Sequence, residues 1–266
     1  MLRVGLLGYG AIGRAVCELV HDGAAGSVSI VGALVRDPAR YARAADQHRF
    51  PFVDGVSALL ALTPQLVVEA GGHEAFRQHV PAILSSGVDV VALSVGALAD
   101  AATLAEVEAA AEKGGSRLRV PSGAIAGLDA ISAAAVGRIE RVTHTVRKPP
   151  AALLDDAEAA VVMADGRPVE LFAGTARDAA ARFPANVNVV AAVSLAGIGL
   201  DRTSARVIAD PALTRNTHEV SVTGDFGELF IRIENEPSDN PKTGRIVAMS
   251  VVRSLRAHGE SIVVGG

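Results

Sequence analysis

Apolar and polar positions follow two different rhythms along the 266 residues. In the first, short apolar runs of strand length alternate with stretches of helical period. LRVGLL (2–7) opens the chain, and in AIGRAVCELV the residues Ile12, Ala15, Val16, Leu19 and Val20 recur at the i, i+3, i+4 spacing of one helical face. SIVGALV (29–35), LVVEA (66–70), VDVVALS (88–94) and RLRVPSG (117–123) read as further strands. Between them lie HEAFRQHVPAILSSG and the Ala/Glu-rich ADAATLAEVEAAAEKG (99–114), both helical in pattern, the second ending at Gly114-Gly115. Strands that alternate with helices predict a doubly wound parallel sheet.

From about residue 140 the rhythm changes to period 2. RVTHTVRK (141–148), HEVSVTG (218–224) and ELFIRIEN (228–235) alternate polar with apolar residues, as strands do in a sheet with one solvated face. The last two are joined by Gly224-Asp225-Phe226-Gly227, a hairpin turn. EAAVVM and NVVAAVSLAGIGL are helical segments between these strands, and PKTGRIVAMSVVRSLRAHG ends the chain with another apolar-periodic helix. The expected organisation is a doubly wound domain over 1–123, an α+β domain with a mixed or antiparallel sheet over 124–238, and a C-terminal helical segment, 239–266, packing back on the first domain.

Gly8, Gly10 and Gly13 stand at G-x-G-x-x-G spacing between the first strand and the first helix. Alone the pattern is weak. Placed after a strand, opening a helix and beginning a βαβ unit, it is the dinucleotide fingerprint of a Rossmann domain. Gly8 permits the tight turn, Gly10 lets the pyrophosphate approach the backbone, and Gly13 lets helix and strand pack closely. Ala11 and Ile12 open the helix, whose aligned N–H groups favour anionic phosphate. At the end of the second strand Arg36 precedes Asp37. An acidic residue there suits the 2′-hydroxyl of NAD and an arginine the 2′-phosphate of NADP, so the expected cofactor is NAD or NADP. Ala70, with Glu69 and Gly71, ends a parallel strand where such sheets bind ligands.

Composition narrows the alternatives. Aromatic residues make up 3% of the chain and the formal charge is −4, which argues against stacking on bases or binding a phosphate backbone, so no nucleic-acid partner is expected. The single cysteine, Cys17, excludes an internal disulfide framework and any multi-cysteine metal site. His73 and His79 are six apart, about 240° around a helix at about 100° per residue, so HEAFRQH is no zinc motif and no metal is expected. No apolar run reaches membrane-spanning length and no basic leader precedes the first strand, so no membrane partner and a cytoplasmic location are expected.

Several blocks go beyond a generic Rossmann protein: VVEAGGHEAF (67–76), LSVGALAD (93–100), VPSGAIAGLDAI (120–131), TVRKPP (145–150), FPANVNVVAAVSLAGIGLD (183–201), ADP with NTHEV (209–220) and NPKTG (240–244). In this order they resemble the NAD(P)-dependent L-aspartate dehydrogenase family over nearly the whole chain. The family carries NPKTS at the last block, so no role is carried over to Gly244. The resemblance implies oxidative deamination of L-aspartate to oxaloacetate and ammonia through iminoaspartate, with a link to NAD biosynthesis. It also implies a catalytic histidine at His218 and cofactor contacts at Ala124 and Asn188.

By period 2, His218 points inward with Val220 and Val222. On spacing alone that suits either a hydrogen-bonded core histidine or a proton-transfer group. With the family's help it becomes the general acid–base. Asn188, in ANVNVV ahead of an Ala/Val-rich helix, is either its N-cap or an amide on the nicotinamide or its ribose. Arg147, Lys148 and Lys242 are candidate cations for the two substrate carboxylates, and each is equally a solvated charge. The alternatives are a homoserine dehydrogenase or dihydrodipicolinate reductase type of enzyme, and a non-catalytic dinucleotide sensor. An Ala/Val-rich face on the second sheet would suit a homodimer.

Overall fold

The computed structural model describes residues 1–183, 187–238 and 244–264. The chain divides into two compact units, Met1–Gly123 with Val247–Gly266, and Ala124–Ile246.

In the first unit β1 (Leu2–Leu7), β2 (Val28–Leu34), β3 (Phe52–Val53), β4 (Leu66–Glu69), β5 (Asp89–Ala92) and β6 (Leu118–Arg119) form one sheet in the order β3-β2-β1-β4-β5-β6. Every neighbouring pair is parallel. All four residues of β4 are buried, as expected of a central parallel strand covered on both faces. The strand order reverses between β1 and β4, and such a switch point opens a crevice at the carboxyl ends of the strands. Helices α1 (Ala11–His21), α2 (Ala42–His48), α3 (Val56–Ala61), α4 (His73–Ser85) and α5 (Ala101–Gly114) connect the strands. The Asp100 carboxylate accepts the Thr103 N–H and caps α5, which stops at Gly115 in the left-handed region at φ 62°.

Two details depart from the pattern-based expectation. RLRVPSG keeps only Leu118–Arg119 as strand, because Pro121 has no N–H to continue the ladder. Between residues 38 and 61 the chain forms a 3-10 turn, Pro38–Tyr41, then α2, β3 and α3, elements too short to show a period.

The second unit contains α6 (Leu128–Ala134), β7 (Ile139–Lys148), α7 (Asp156–Asp165), β8 (Val169–Thr175), α8 (Ala176–Arg182), α9 (Val187–Ala196), β9 (Ser204–Ala209), β10 (Asn216–Gly224) and β11 (Gly227–Asn235). Its five strands run in the order β11-β10-β7-β9-β8. The sheet is mixed: β7 and β9 are parallel and the other pairs antiparallel. Asp225 and Phe226 turn the β10–β11 hairpin between the paired Gly224 and Gly227. One face of the sheet is sealed by a core of Ile125, Ile131, Ile139, Val142, Val189, Val193, Val220 and Val222. Each fully buried Val or Ile there contributes about 1.5–3 kcal/mol. The last helix, α10 (Ile246–Arg256), belongs to the first unit from Val247 onward, and its Ser250 hydroxyl accepts the Gly123 N–H at 3.1 Å.

Candidate active site

The glycine loop of the first unit is a site made of backbone. Gly8 sits at φ +96°, and a Cβ there would lie 2.6 Å from the Gly71 Cα and 2.7 Å from the Ala70 carbonyl oxygen. A Cβ on Gly13 would lie 2.5 Å from the Gly8 oxygen. Loop, helix start and the turn after β4 are therefore in backbone contact, which only glycine at positions 8 and 13 allows. Gly10 differs: it is exposed, N-caps α1 without a side chain, and meets nothing within 4 Å of a built Cβ. The open space lies before the first N–H groups of an 11-residue helix, Ala11, Ile12 and Gly13 among them. A pyrophosphate fits a cradle of this kind.

A buried carboxylate stiffens the same region. Glu69, at the end of β4, is 0% exposed. Its Oε1 accepts the Gly71 N–H (2.9 Å), the Gly72 N–H (3.2 Å) and the Ser94 hydroxyl (2.7 Å), while Oε2 accepts the N–H groups of Leu93 (3.2 Å) and Ser94 (2.9 Å). Burial pushes its pKa up and these donors pull it back. Ala70 is held through its own N–H on the Leu7 carbonyl at 2.8 Å. Glu69 thus ties the turns after β4 and β5 together beside Gly8.

Tyr9, between the first two glycines, is only 6% exposed and its hydroxyl lies 2.6 Å from His48 Nε2. Its ring meets Phe52 and Tyr41 edge-on at 4.8 and 5.5 Å between centroids. Burial pushes the Tyr9 hydroxyl up to about 12. The loop is pinned to α2 and β3 by this cluster, which gathers both tyrosines of an aromatic-poor chain. Arg36 and Asp37 are exposed just beyond β2.

The second unit holds the titratable chemistry. His218 on β10 is 7% exposed and lies opposite Val146 of β7 and Ile233 of β11. Two residues along β7 to either side stand His144 and Lys148, on the same face as His218 and 2% and 8% exposed. Diagonal neighbours across a ladder are within reach of long side chains, and His144 Nε2 lies 3.1 Å from His218 Nδ1 with the rings 15° from parallel. Burial holds His144 down to about 4. Burial first, then His144 and Lys148, hold His218 well below its ordinary range, and burial lowers Lys148. His218 is therefore a neutral imidazole at neutral pH.

The other candidates separate. Arg147 lies on the opposite face of β7 from Lys148 and His218, and its guanidinium pairs with Glu219 at 3.3 Å and Asp210 at 3.4 Å. The two candidate cations are thereby separated, because successive strand residues point to opposite faces. Asn188 is likewise not ahead of its helix but its second residue, exposed on α9. Ala124 is half-buried against the core, with its carbonyl accepting the Asn235 amide at 2.9 Å. Lys242 lies outside the described residues. Among the described residues no group of three or more His, Cys, Asp or Glu could hold a metal ion, and no helix is long and apolar enough to cross a membrane.

His144 and Tyr9 escaped the sequence-based reading. His144 was legible as the alternate-position neighbour of Val142 and Val146, but its partner is 74 residues away and only strand pairing reveals it.

Comparison with known proteins agrees with both halves. Residues 8–121 match the model of the homoserine dehydrogenase NAD-binding domain, and residues 129–258 match that of the aspartate dehydrogenase C-terminal domain. The chain is 41% identical over 268 residues to an L-aspartate dehydrogenase of Bordetella pertussis, covering 99% of each. It is 41% identical over 272 residues to that of Pseudomonas aeruginosa, covering 99% of this chain and 100% of the relative. The crystal structure of aspartate dehydrogenase from Thermotoga maritima superposes with a TM-score of 0.79 at 25% identity, covering 100% of both chains. A glycine cradle matching an NAD-binding domain and full-length likeness to these enzymes lead to one conclusion: the chain belongs to the L-aspartate dehydrogenase family, NAD(P)-dependent oxidoreductases.

Proposed function

We propose that this chain oxidises L-aspartate with NAD or NADP to iminoaspartate and then oxaloacetate and ammonia, with His218 as general acid–base. When bound, the nicotinamide supplies the hydride acceptor. The backbone N–H groups at the start of α1 would hold the pyrophosphate, with the turns tied by Glu69 beside them. Arg36 and Asp37, exposed just beyond β2, would read the adenosine ribose, Asp37 suited to a hydroxyl and Arg36 to a phosphate.

On the substrate side His218 performs the proton work. Water must lose a proton as it adds to the imine carbon, and the amine must gain one as ammonia leaves. One imidazole that is neutral at rest accepts the first proton and returns it for the second. Lys148 is the cation on the same face as His218, suited to a substrate carboxylate as a point charge. Arg147, committed to Glu219 and Asp210, is not assigned that part.

The observation that carries the reading is a buried histidine beside a buried lysine in a chain 41% identical to L-aspartate dehydrogenases over its length. Purified protein assayed with L-aspartate, L-glutamate and L-homoserine against NAD and NADP tests it. Reduced nicotinamide forming with L-aspartate supports it. Reduction with homoserine alone replaces it by the homoserine dehydrogenase reading, and no reduction with any substrate leaves the dinucleotide-sensor reading.

A further inference from the structure

We infer that His144 is a positioning residue: its Nε2 accepts the Nδ1–H of His218, fixing the tautomer that leaves the His218 Nε2 lone pair free for the substrate. The inference rests on the reading of His218 as the acid–base.

Two facing ring nitrogens 3.1 Å apart share one proton, because two lone pairs repel and two N–H groups clash. Two arrangements satisfy the contact. In one, His144 donates from Nε2, His218 accepts at Nδ1 and carries its own proton on Nε2; its outward nitrogen is then a donor and cannot begin as a base. In the other, His218 donates from Nδ1 and its Nε2 is the acceptor. Only the second lets His218 take a proton at Nε2 while keeping its bond to His144 in the imidazolium form. His144 then carries its own proton on Nδ1.

The surroundings favour the second arrangement for catalysis. The other groups facing His218 across the sheet are Val146 and Ile233, the β9 residues beside His144, Val146 and Lys148 are Ala205, Val207 and Ala209, and the core helix α9 contributes Val189 and Val193. His144 is the polar ring partner of His218, and Lys148 the charged neighbour. Among the described residues, His218 Nε2 makes no hydrogen bond, as a nitrogen reserved for substrate should be. The device resembles the base-orienter pairing of nucleophile triads, with one difference. A carboxylate orienter would raise the pKa of its histidine; a neutral, fully buried imidazole orients without doing so. The base therefore stays unprotonated in slightly acidic solution.

The test combines spectroscopy with kinetics on the full chain. Nitrogen-15 NMR of histidine-labelled protein should show His218 protonated on Nδ1, and His144→Leu should abolish that preference. The same variant should lower kcat about 10–100-fold, the usual cost of losing an orienting partner, with the KM for NAD(P) unchanged. His144→Gln, whose amide oxygen can accept the same N–H, should recover most of kcat, and His144→Glu should move the acidic limb of the kcat profile to higher pH. A wild-type His218 protonated on Nε2, or an unchanged kcat in His144→Leu, overturns the inference. If His144→Leu does not fold, the wild-type spectrum and the Gln and Glu variants decide. Turnover surviving His218→Gln would instead overturn the acid–base reading and any catalytic part for the pair. An inactive His218→Gln alongside an Nε2–H His218 would overturn the tautomer alone.

Discussion

The glycine cradle and the histidine pair solve opposite problems. At Gly8, Gly10 and Gly13 the site consists of what side chains would obstruct: backbone approaches backbone at positions 8 and 13, and open space faces the helix start at position 10. The glycines themselves bury nothing that wants water and add only one strained φ that glycine tolerates, and the buried Glu69 beside them is compensated by five hydrogen bonds. At His144, Lys148 and His218 three titratable side chains are taken out of water on one face of a sheet, and the fold bears their desolvation in exchange for a base that is neutral at rest. The binding surface is backbone whose buried support is fully hydrogen-bonded, whereas the proton chemistry rests on titratable groups whose burial is only partly compensated.

The contrast breaks most sharply at His218. His218→Gln should reduce turnover about 10²–10⁴-fold while fluorescence titration with reduced cofactor gives an unchanged Kd. Lost cofactor affinity would mean that the two regions do not divide the work. Next, Glu69→Gln leaves buried N–H donors facing an amide NH2, at a cost of about 3 kcal/mol, seen as a lower urea midpoint at constant slope. The same variant should weaken cofactor binding, because the turns after β4 and β5 are no longer tied beside Gly8.

Acid sensitivity separates the regions on a similar scale. The His144 imidazole is neutral in the fold with its pKa held near 4 and regains its ordinary 6.5 on unfolding. The unfolded chain therefore binds the extra proton, and stability falls as pH drops from about 6.5 toward 4, by on the order of 3 kcal/mol. His218 is depressed in the same direction and adds to the loss. His144→Leu should flatten the fall in the thermal midpoint between these pH values; an equal slope in the variant would place the sensitivity elsewhere. The smallest effect is expected at Tyr9→Phe, which loses the hydroxyl contact with His48 at about 1 kcal/mol and should leave kcat unaltered.

The two regions also differ in how far the sequence discloses them. The cradle is local: three glycines within six residues, a strand before and a helix after, all carried by spacing. The doubly wound sheet follows from the same alternation of periods. In the second unit the alternation along β10 correctly turns His218 inward with Val220 and Val222. It cannot reveal that β7 and β10 pair in the register that sets His144 diagonal to His218, because register is a property of two strands. Adjacent Arg147 and Lys148 look equivalent in VRKPP, yet the pleat sends them to opposite faces. Strand β9, parallel to β7 and interior to its sheet, is not legible because SARVIA alternates over only part of its length.

The most direct measurement follows the reacting hydrogen. L-aspartate carrying deuterium at Cα, incubated with the protein and either NAD or NADP, should transfer its label to C4 of the nicotinamide, and mass spectrometry should find singly deuterated reduced cofactor with oxaloacetate and ammonia as co-products. Deuterium released to water with unlabelled reduced cofactor, or no cofactor reduction at all, would contradict hydride transfer from aspartate as the activity of this chain.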